Sequence, residues 1–338
     1  EPTTPAGAEI VKFLEERGFP VGRLVLLGGR RTAGERVEFM GSEHVVEAAG
    51  PSSLDGVHVA FLACDPAMAE ELSDSSRKAG CLAVDMSTRH NLDDDVPLVV
   101  PEVNGSEVVL RPGIVASPRP AVVELALVLG PIRKAVGIRR AVITSFHPVS
   151  EAGTTAMDEL TTQIRDLFSF REASSRVFPH QTAFNVIPAV GRVGRSGVSQ
   201  EEAAVASEIR KVLGDADMRV SVTCVRVPAF YANCASVTVE TGRKVGPAHL
   251  REILREAAGV LLKDDPPSDV YPTPVDASGM DECLVGRIRS EEVFENAVSF
   301  FAACDNVRRG GALNALLIAE KFLQEGNGTF LTKDSHTP

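Results

Sequence analysis

The sequence contains no Cys-x-x-Cys pair, no surplus of basic residues and no long apolar run. Each absence removes a class of function. The six cysteines are Cys64, Cys81, Cys224, Cys234, Cys283 and Cys304, and their spacing gives no zinc or dithiol-redox motif. They lie in or beside apolar runs, as reduced core thiols of a cytoplasmic protein do. Lys and Arg number 35 against 46 Asp and Glu, a net charge of −11. That balance argues against nucleic acid or an anionic membrane as partner, because both want a basic face. No apolar run approaches the ~20 residues of a membrane helix. Glu1-Pro2-Thr3-Thr4 has neither a basic n-region nor an apolar h-region, so no signal peptide is expected.

What the chain does have is material for a packed core, with 44% apolar and 24% charged residues over 338 positions. That length predicts about two domains at ~150 residues each. The first third alternates helix and strand. Ile10, Val11, Phe13 and Leu14 give one apolar face to a helix at about 6–17. Leu24-Val25-Leu26-Leu27, ended by Gly28-Gly29, reads as a buried parallel strand, and Val57–Ala63 repeats the pattern. Pro66 opens a helix that Gly80 closes. Further strands are expected at Cys81–Val84, Pro97–Val100 and Ile114–Ala116. This alternation predicts a doubly wound α/β sheet.

The remainder has another texture. Helices are expected at 121–135, 153–169 and 200–213, and strands at 139–146, 218–227, 235–241, 283–288 and 297–303. Long helices beside long strands predict an α+β domain with a largely antiparallel sheet covered on one face. A last amphipathic helix at about 311–325 is expected to return to the first domain, and the tail after Gly326 reads as frayed. In a nucleotide-binding α/β domain the first strand is central and the phosphate loop follows it. Here the sequence opens where that loop belongs, so either a strand lies upstream or the domain is rebuilt at its start.

Several segments in order carry a family resemblance. They include Arg31-Thr32-Ala33-Gly34, Asp95-Val96-Pro97-Leu98-Val99-Val100-Pro101-Glu102-Val103-Asn104 and Ala156-Met157-Asp158-Glu159-Leu160. Phe178-Pro179-His180-Gln181-Thr182-Ala183-Phe184-Asn185, Thr223-Cys224-Val225-Arg226-Val227-Pro228, Tyr271-Pro272-Thr273-Pro274 and Asp305-Asn306-Val307-Arg308-Arg309-Gly310-Gly311 follow. From about 6 to 325 the chain resembles the aspartate-β-semialdehyde dehydrogenase family, in the branch typical of many bacteria. The resemblance implies a Rossmann-like NADP-binding-type domain, 1–117 with the helix 311–325. It also implies an α+β dimerisation domain, 118–310, with a mostly antiparallel sheet. Family members reduce an acyl phosphate to an aldehyde with NADPH, through a cysteine thioester, and work as dimers.

The chemistry this resemblance implies is damaged. The family nucleophile sits in an Asn-Pro-Asn-Cys turn at a helix N-terminus, where unpaired N–H groups favour a thiolate. The matching stretch is Ala116-Ser117-Pro118-Arg119-Pro120-Ala121, with Pro120 at the cysteine position. Proline is comfortable in a first helical turn and chemically inert. The family's acid–base histidine falls on Asn233, whose amide exchanges no proton near neutral pH. A family glutamine is His147, and one glycine after it is Glu151, which should fill space and add negative charge. No catalytic residue is expected to be intact.

On the substrate side, Arg226 matches a carboxylate-binding arginine. Glu208 and Lys211 match a helical pair that holds substrate and phosphate, or form an ordinary i,i+3 pair worth ~0.2–0.5 kcal/mol. A second phosphate-binding arginine falls on Asn91 and is lost; Arg89 is close in sequence but not aligned. The family's Gly-x-Thr-Gly-x-Val-Gly loop aligns with Glu1–Gly7 and keeps only Thr3 and Gly7. A carboxylate at Glu1 would repel a pyrophosphate there. Arg30 and Arg31 match the place that reads the 2′-phosphate of NADP, or form a solvated turn. Asn306 and Asn314 complete the implied cofactor positions. NADP is therefore the family's cofactor, expected to bind weakly or not at all, and no metal is expected.

A replacement Cys–His pair of Cys234 with His147 would need the two to face each other, and strand alternation points Cys234 away from Asn233. Cys64 is expected to line the cleft, Cys224 to lie in the core, and His58 and His180 to be structural. Two functions follow. One is a non-catalytic paralogue like the group called USG-1 proteins, structural or regulatory, as a homodimer or a mixed dimer with a true dehydrogenase. The other is an NADP-dependent oxidoreductase acting on an aldehyde or acyl phosphate by altered chemistry.

Overall fold

The computed structural model describes residues 1–50, 52–108 and 113–325; the tail after Gly326 lies outside them. The chain forms two compact units, Glu1–Arg119 with the stretch from Gly311 on, and Pro120–Gly310.

The first unit opens with α1 (Pro5–Glu16), whose Thr4 cap accepts a hydrogen bond from the Gly7 N–H. Ile10, Val11, Phe13 and Leu14 are buried on one face, as their spacing predicts. The strands are β1 (Leu27–Gly28), β2 (Arg36–Phe39), β3 (Ser42–Val45), β4 (Glu47–Ala48) and β5 (Val59–Leu62). Next come α2 (Pro66–Ala79), β6 (Leu82–Asp85), α3 (Pro101–Asn104) and β7 (Gly113–Ala116). Strands β5, β6 and β7 form one parallel sheet. Helix α2, crossing between the first two, is bounded by the Asp65 cap and a left-handed Gly80.

One expected strand is cut short and another is reduced to a single bridge. Only Leu27 and Gly28 of the run from Leu24 pair, with Glu47 and Ala48 of β4. A cleft of about 630 Å³ lies between that run and Val57–Cys64, so Leu24–Leu26 find no neighbour on that edge. An apolar run becomes a strand only where another backbone supplies its partners. The doubly wound sheet is accordingly divided into β1–β4 and β5–β6–β7. Pro97–Val100 is likewise not a strand and makes a single bridge, Leu98 to Ala116. The Asn104 side chain accepts from Val100 N–H and donates to the Leu98 carbonyl, doing locally what a ladder would have done.

The second unit runs α4 (Pro120–Val136), β8 (Ile138–His147), a 3-10 turn at Val149–Ala152, α5 (Thr154–Phe168), α6 (Gln200–Leu213) and β9 (Arg219–Arg226). It continues with β10 (Asn233–Thr241), α7 (Pro247–Arg255), β11 (Val260–Leu262), α8 (Pro274–Ala277), β12 (Cys283–Glu291) and β13 (Ala297–Cys304). The chain then returns to the first unit as α9 (Asn314–Glu325), where Ala315, Ile318 and Ala319 pack with Leu82, Val84 and Val115.

The six strands are ordered β11-β12-β13-β10-β8-β9, antiparallel at the three central contacts and parallel at both ends. Burial alternates along β8: Ala141, Ile143, Ser145 and His147 are buried, while Val142 is exposed and Thr144 half-buried. Helix α4 packs on β8, β10, β12 and β13, with α6 and α7 beside it. The alternation puts His147 on the sheet face that carries the buried positions.

Candidate functional site

Strand register builds the site. Arg226 is the partner of His147 across β9 and β8, and Cys234 is the partner of Phe146 across β10 and β8. Asn233 therefore lies beside His147, and its own partner on β13 is Cys304. Register neighbours share a sheet face, so Arg226, His147, Asn233 and Cys304 form one row at the end of the sheet. All four are buried. Cys234 points the other way, into a cluster with Ala232, Ala277, Leu284 and Ala303. It makes no pair with His147.

Glu151 closes over this row from the 3-10 turn. Its Oε2 accepts from His147 Nδ1 at 2.8 Å and from Arg226 Nη1 at 3.1 Å. Arg226 also donates to the Pro148 carbonyl, and its guanidinium lies 5.3 Å from the centre of the Phe178 ring. Burial by itself would push the Glu151 carboxyl up. His147, then Arg226 and the nearby Asn233 amide, outweigh it and hold the group at about 2. The turn is anchored: Val149 and Ser150 donate N–H to the carbonyls of Ala229 and Phe230. Asn306 ties the same two segments, accepting from Ala232 N–H at 2.9 Å and donating to Ser150 Oγ at 2.9 Å. Gly153 ends the turn at φ 84°, ψ −175°, a conformation essentially reserved for glycine. Ala232, just before Asn233, sits at φ 71° despite its Cβ.

The row has polar atoms left over. His147 Nε2 and both amide atoms of Asn233 are buried and make no hydrogen bond of good geometry. Both carboxyl oxygens of Glu124, on the second turn of α4, are in the same condition. Burial, then Cys304 and Glu151, drive the Glu124 carboxyl well above the usual carboxylate range. Sequence reasoning passed over Glu124; the signal was a lone acid in the apolar helical stretch Ala121–Leu129. It likewise passed over the buried pair of the first unit, His90 Nδ1 and Asp85 Oδ2 at 2.8 Å.

Pro120 is the first residue of α4, and a Cβ placed on Gly310 would come within 2.9 Å of it. Cys224, Cys234, Cys283 and Cys304, the thiols of this unit, are each at most 2% exposed. Burial pushes the Cys224 and Cys234 thiols up, the reverse of activation. Glu208 is wholly buried on α6, and Lys211 follows it half-buried; α6 packs on β9, whose last residue is Arg226.

In the first unit, Cys64 lines the 630 Å³ cleft, and burial raises its thiol to about 12. His58 lines the same cleft from an exposed position, and His180 of the second unit is exposed. Arg89 is engaged by Glu70 and Asp93. For a dinucleotide, the residues present fit in part. Thr3 is exposed, Pro5 has no N–H, and Thr4 consumes the N–H of Gly7. A Cβ on Gly7 would fall 2.0 Å from the Glu1 carbonyl oxygen, so this turn is already filled by its own backbone. The Glu1 carboxylate accepts from Gly29 N–H at 3.0 Å, placing negative charge where a pyrophosphate would need donors. Arg30 and Arg31 are exposed after β1, with no ion-pair partner among the described residues. Asn314 donates to Val99 O and Ser117 Oγ and keeps its buried carbonyl oxygen unused. The described residues contain no metal-holding group of His, Cys, Asp or Glu and no helix long and apolar enough to cross a membrane.

Comparison with known proteins agrees across both units. The family model for the semialdehyde dehydrogenase dimerisation domain matches residues 129–309, and that for the semialdehyde dehydrogenase NAD binding domain matches 3–110. An aspartate-semialdehyde dehydrogenase of Aquifex aeolicus is 38% identical over 328 residues, covering 96% of each chain. One from Bacillus subtilis is 33% identical, with 95% of each chain covered. The crystal structure of aspartate semialdehyde dehydrogenase II from Vibrio cholerae superposes with a TM-score of 0.91 at 32% identity, covering 96% of this chain and 97% of that one. The two-domain α/β fold, with an NAD-binding Rossmann-like domain and a mostly antiparallel second sheet, stands as the sequence predicts.

Proposed function

The chain belongs to the aspartate-semialdehyde dehydrogenase family, and we propose that it is a non-catalytic member, of the USG-1 kind, with a structural or regulatory role. The observation that carries this reading is Pro120 in the first turn of α4. The resemblance puts the family's nucleophile at that position, and a pyrrolidine ring can form no thioester. Three further observations support it. Asn233 offers an amide in place of the acid–base histidine. Arg226, matched to the carboxylate-binding arginine, is already engaged by Glu151. Every thiol of the unit is buried. Glu208 and Lys211 remain on α6 as relics of substrate binding in this reading.

The domains are 1–117 with 311–325, and 118–310; through the second of these the chain forms a homodimer, or a mixed dimer with a true dehydrogenase. Its free thiols fit the cytoplasm. NADP binds weakly or not at all, because the turn at Thr3–Gly7 offers few donors and carries Glu1. The test is direct. Purified protein given aspartate semialdehyde, phosphate and NADP should form no NADPH above background, and turnover would overturn the proposal.

One observation favours a second reading, an NADP-dependent oxidoreductase working on an aldehyde or acyl phosphate by altered chemistry. Arg30 and Arg31 stand exposed and unpaired, as a 2′-phosphate would require. Calorimetric binding of NADP in preference to NAD would support it.

A further inference from the structure

We propose that Cys283 and Cys304 form a modification site, at which hydrogen peroxide converts the two thiols into one disulfide between β12 and β13. The pairing follows from register. Leu284 lies opposite Ala303 and Val285 opposite Ala302 in an antiparallel ladder. One step further sets Cys283, the first residue of β12, opposite Cys304, the last of β13. Cys283 donates its N–H to the Gly259 carbonyl, on the β11 side of its strand. Its backbone groups therefore turn away from β13, and the two cysteines are a non-hydrogen-bonded pair. In such a pair the Cα atoms stand about 4.5 Å apart and the side chains come closest. A disulfide spans Cα separations of roughly 4.4–6.8 Å. Both side chains share the sheet face under α4, where Cys283 Sγ lies 4.0 Å from the Glu124 carbonyl oxygen. The two thiols already hydrogen-bond to each other. Cys234 turns to the opposite face, and Cys224 lies on β9, at the far end of the sheet.

The contact with Cys304, then burial, pushes the Cys283 thiol well up, so Cys283 keeps its proton and Cys304 is the attacking sulfur. Cys304 attacks one peroxide oxygen and the O–O bond breaks. The second oxygen leaves as water with the Cys304 proton, and Cys304 becomes a sulfenic acid. The Cys283 sulfur then displaces that hydroxyl. The S–S bond forms, and the hydroxyl leaves as a second water with the Cys283 proton. Two thiols have lost two electrons, and one peroxide has been reduced to two waters. Burial selects the oxidant, since Cys283 is 0% and Cys304 1% exposed. Hydrogen peroxide is uncharged and little larger than water, so small local openings admit it. Glutathione disulfide is large and charged, and thiol–disulfide exchange needs access to the sulfur. Burial makes the first step slow. The second step is intramolecular, between sulfurs already in contact, so the sulfenic acid is captured before further oxidation. The proposal stands apart from the non-catalytic reading, because neither sulfur occupies the position of the family nucleophile.

The experiment is disulfide mapping on the folded, fully reduced chain. Protein treated with hydrogen peroxide is quenched with catalase, blocked with iodoacetamide in denaturant and cut with trypsin. Mass spectrometry should find the peptides 264–287 and 290–308, which carry Cys283 and Cys304, joined and lighter by two hydrogen atoms. Dithiothreitol should separate them. Glutathione disulfide should leave the native pair reduced. Cys283→Ala should hold a sulfenic acid at Cys304 that dimedone labels, and Cys304→Ala should leave Cys283 unreacted. If either variant does not fold, the wild-type map decides alone. Absence of the cross-link at a dose that turns the exposed Met40 into its sulfoxide would overturn the proposal. So would a disulfide to any other cysteine, a bond between two chains, or a cross-link that forms only after unfolding in urea. Native oxidation by glutathione disulfide as fast as by peroxide would overturn the assignment of the oxidant.

Discussion

Glu151 Oε2 and Arg226 Nη1 stand 3.1 Å apart, although 75 residues separate them in the chain. The contact joins a 3-10 turn to the last residue of β9 and takes up the cation that the family resemblance assigns to substrate. Its energetics can be read through pH. Burial raises the Glu151 carboxyl, but His147 and Arg226 outweigh it and bring it from 4.5 to about 2. A lowered folded-state value means that the unfolded chain binds more protons in that window. The stabilisation is therefore whole above about pH 4.5 and is lost as pH falls through about 2, and it amounts to about 3 kcal/mol. Urea melts of wild type and Glu151→Gln along an acid series should converge as pH falls; curves that stay parallel would contradict this account.

Glu124 should behave in the opposite sense. Burial, reinforced by Cys304 and Glu151, raises its carboxyl well above 4.5 in the folded protein. The folded state then holds a proton that the unfolded chain releases, so stability declines as pH rises above about 4.5 toward the raised value. Glu124→Gln keeps the shape and removes the titration. Denaturant midpoints at about pH 5 and about pH 8 should show the variant gaining on wild type at the higher pH. The same difference at both would remove Glu124 from the pH dependence.

Placing at positions 120 and 233 the residues that the family resemblance assigns there should not produce catalysis. Pro120→Cys puts a thiol on the first turn of α4, against Gly310. Asn233→His puts a larger ring into a fully buried position, at a cost of about 1–3 kcal/mol for overpacking. Arg226 remains held by Glu151, and the Thr3–Gly7 turn remains short of donors. The double variant should form no NADPH from aspartate semialdehyde, phosphate and NADP. Recovery from these two changes would mean that the Glu1–Gly7 turn tolerates the cofactor.

NADP should give no saturable heat in calorimetry at micromolar concentrations. Should heat be seen, replacing Arg30 and Arg31 by alanine ought to abolish it and ought not to alter NAD. Micromolar affinity indifferent to both arginines would place the dinucleotide elsewhere.

The second unit was legible in the sequence because its elements are long. Ten residues of β8 and seventeen of α4 carry enough period to show which positions are buried. The first unit was less so. Leu24–Leu27 and Pro97–Val100 are apolar enough for strands, but a strand is a relation between two backbones. One run faces a cleft, and the other pairs only through Ala116 of β7 while Asn104 takes its Val100 N–H and Leu98 carbonyl.

The sequence by itself determined that proline stands at position 120 and a carboxylate at position 151. It could not determine what that carboxylate meets. Arg226 and His147 become neighbours through the pairing of β8 with β9, and Asn233 joins them through the pairing of β8 with β10. Hydrogen-bonded register between distant segments is set by the whole sheet, so only the tertiary structure could bring the Glu151 carboxylate onto a buried arginine.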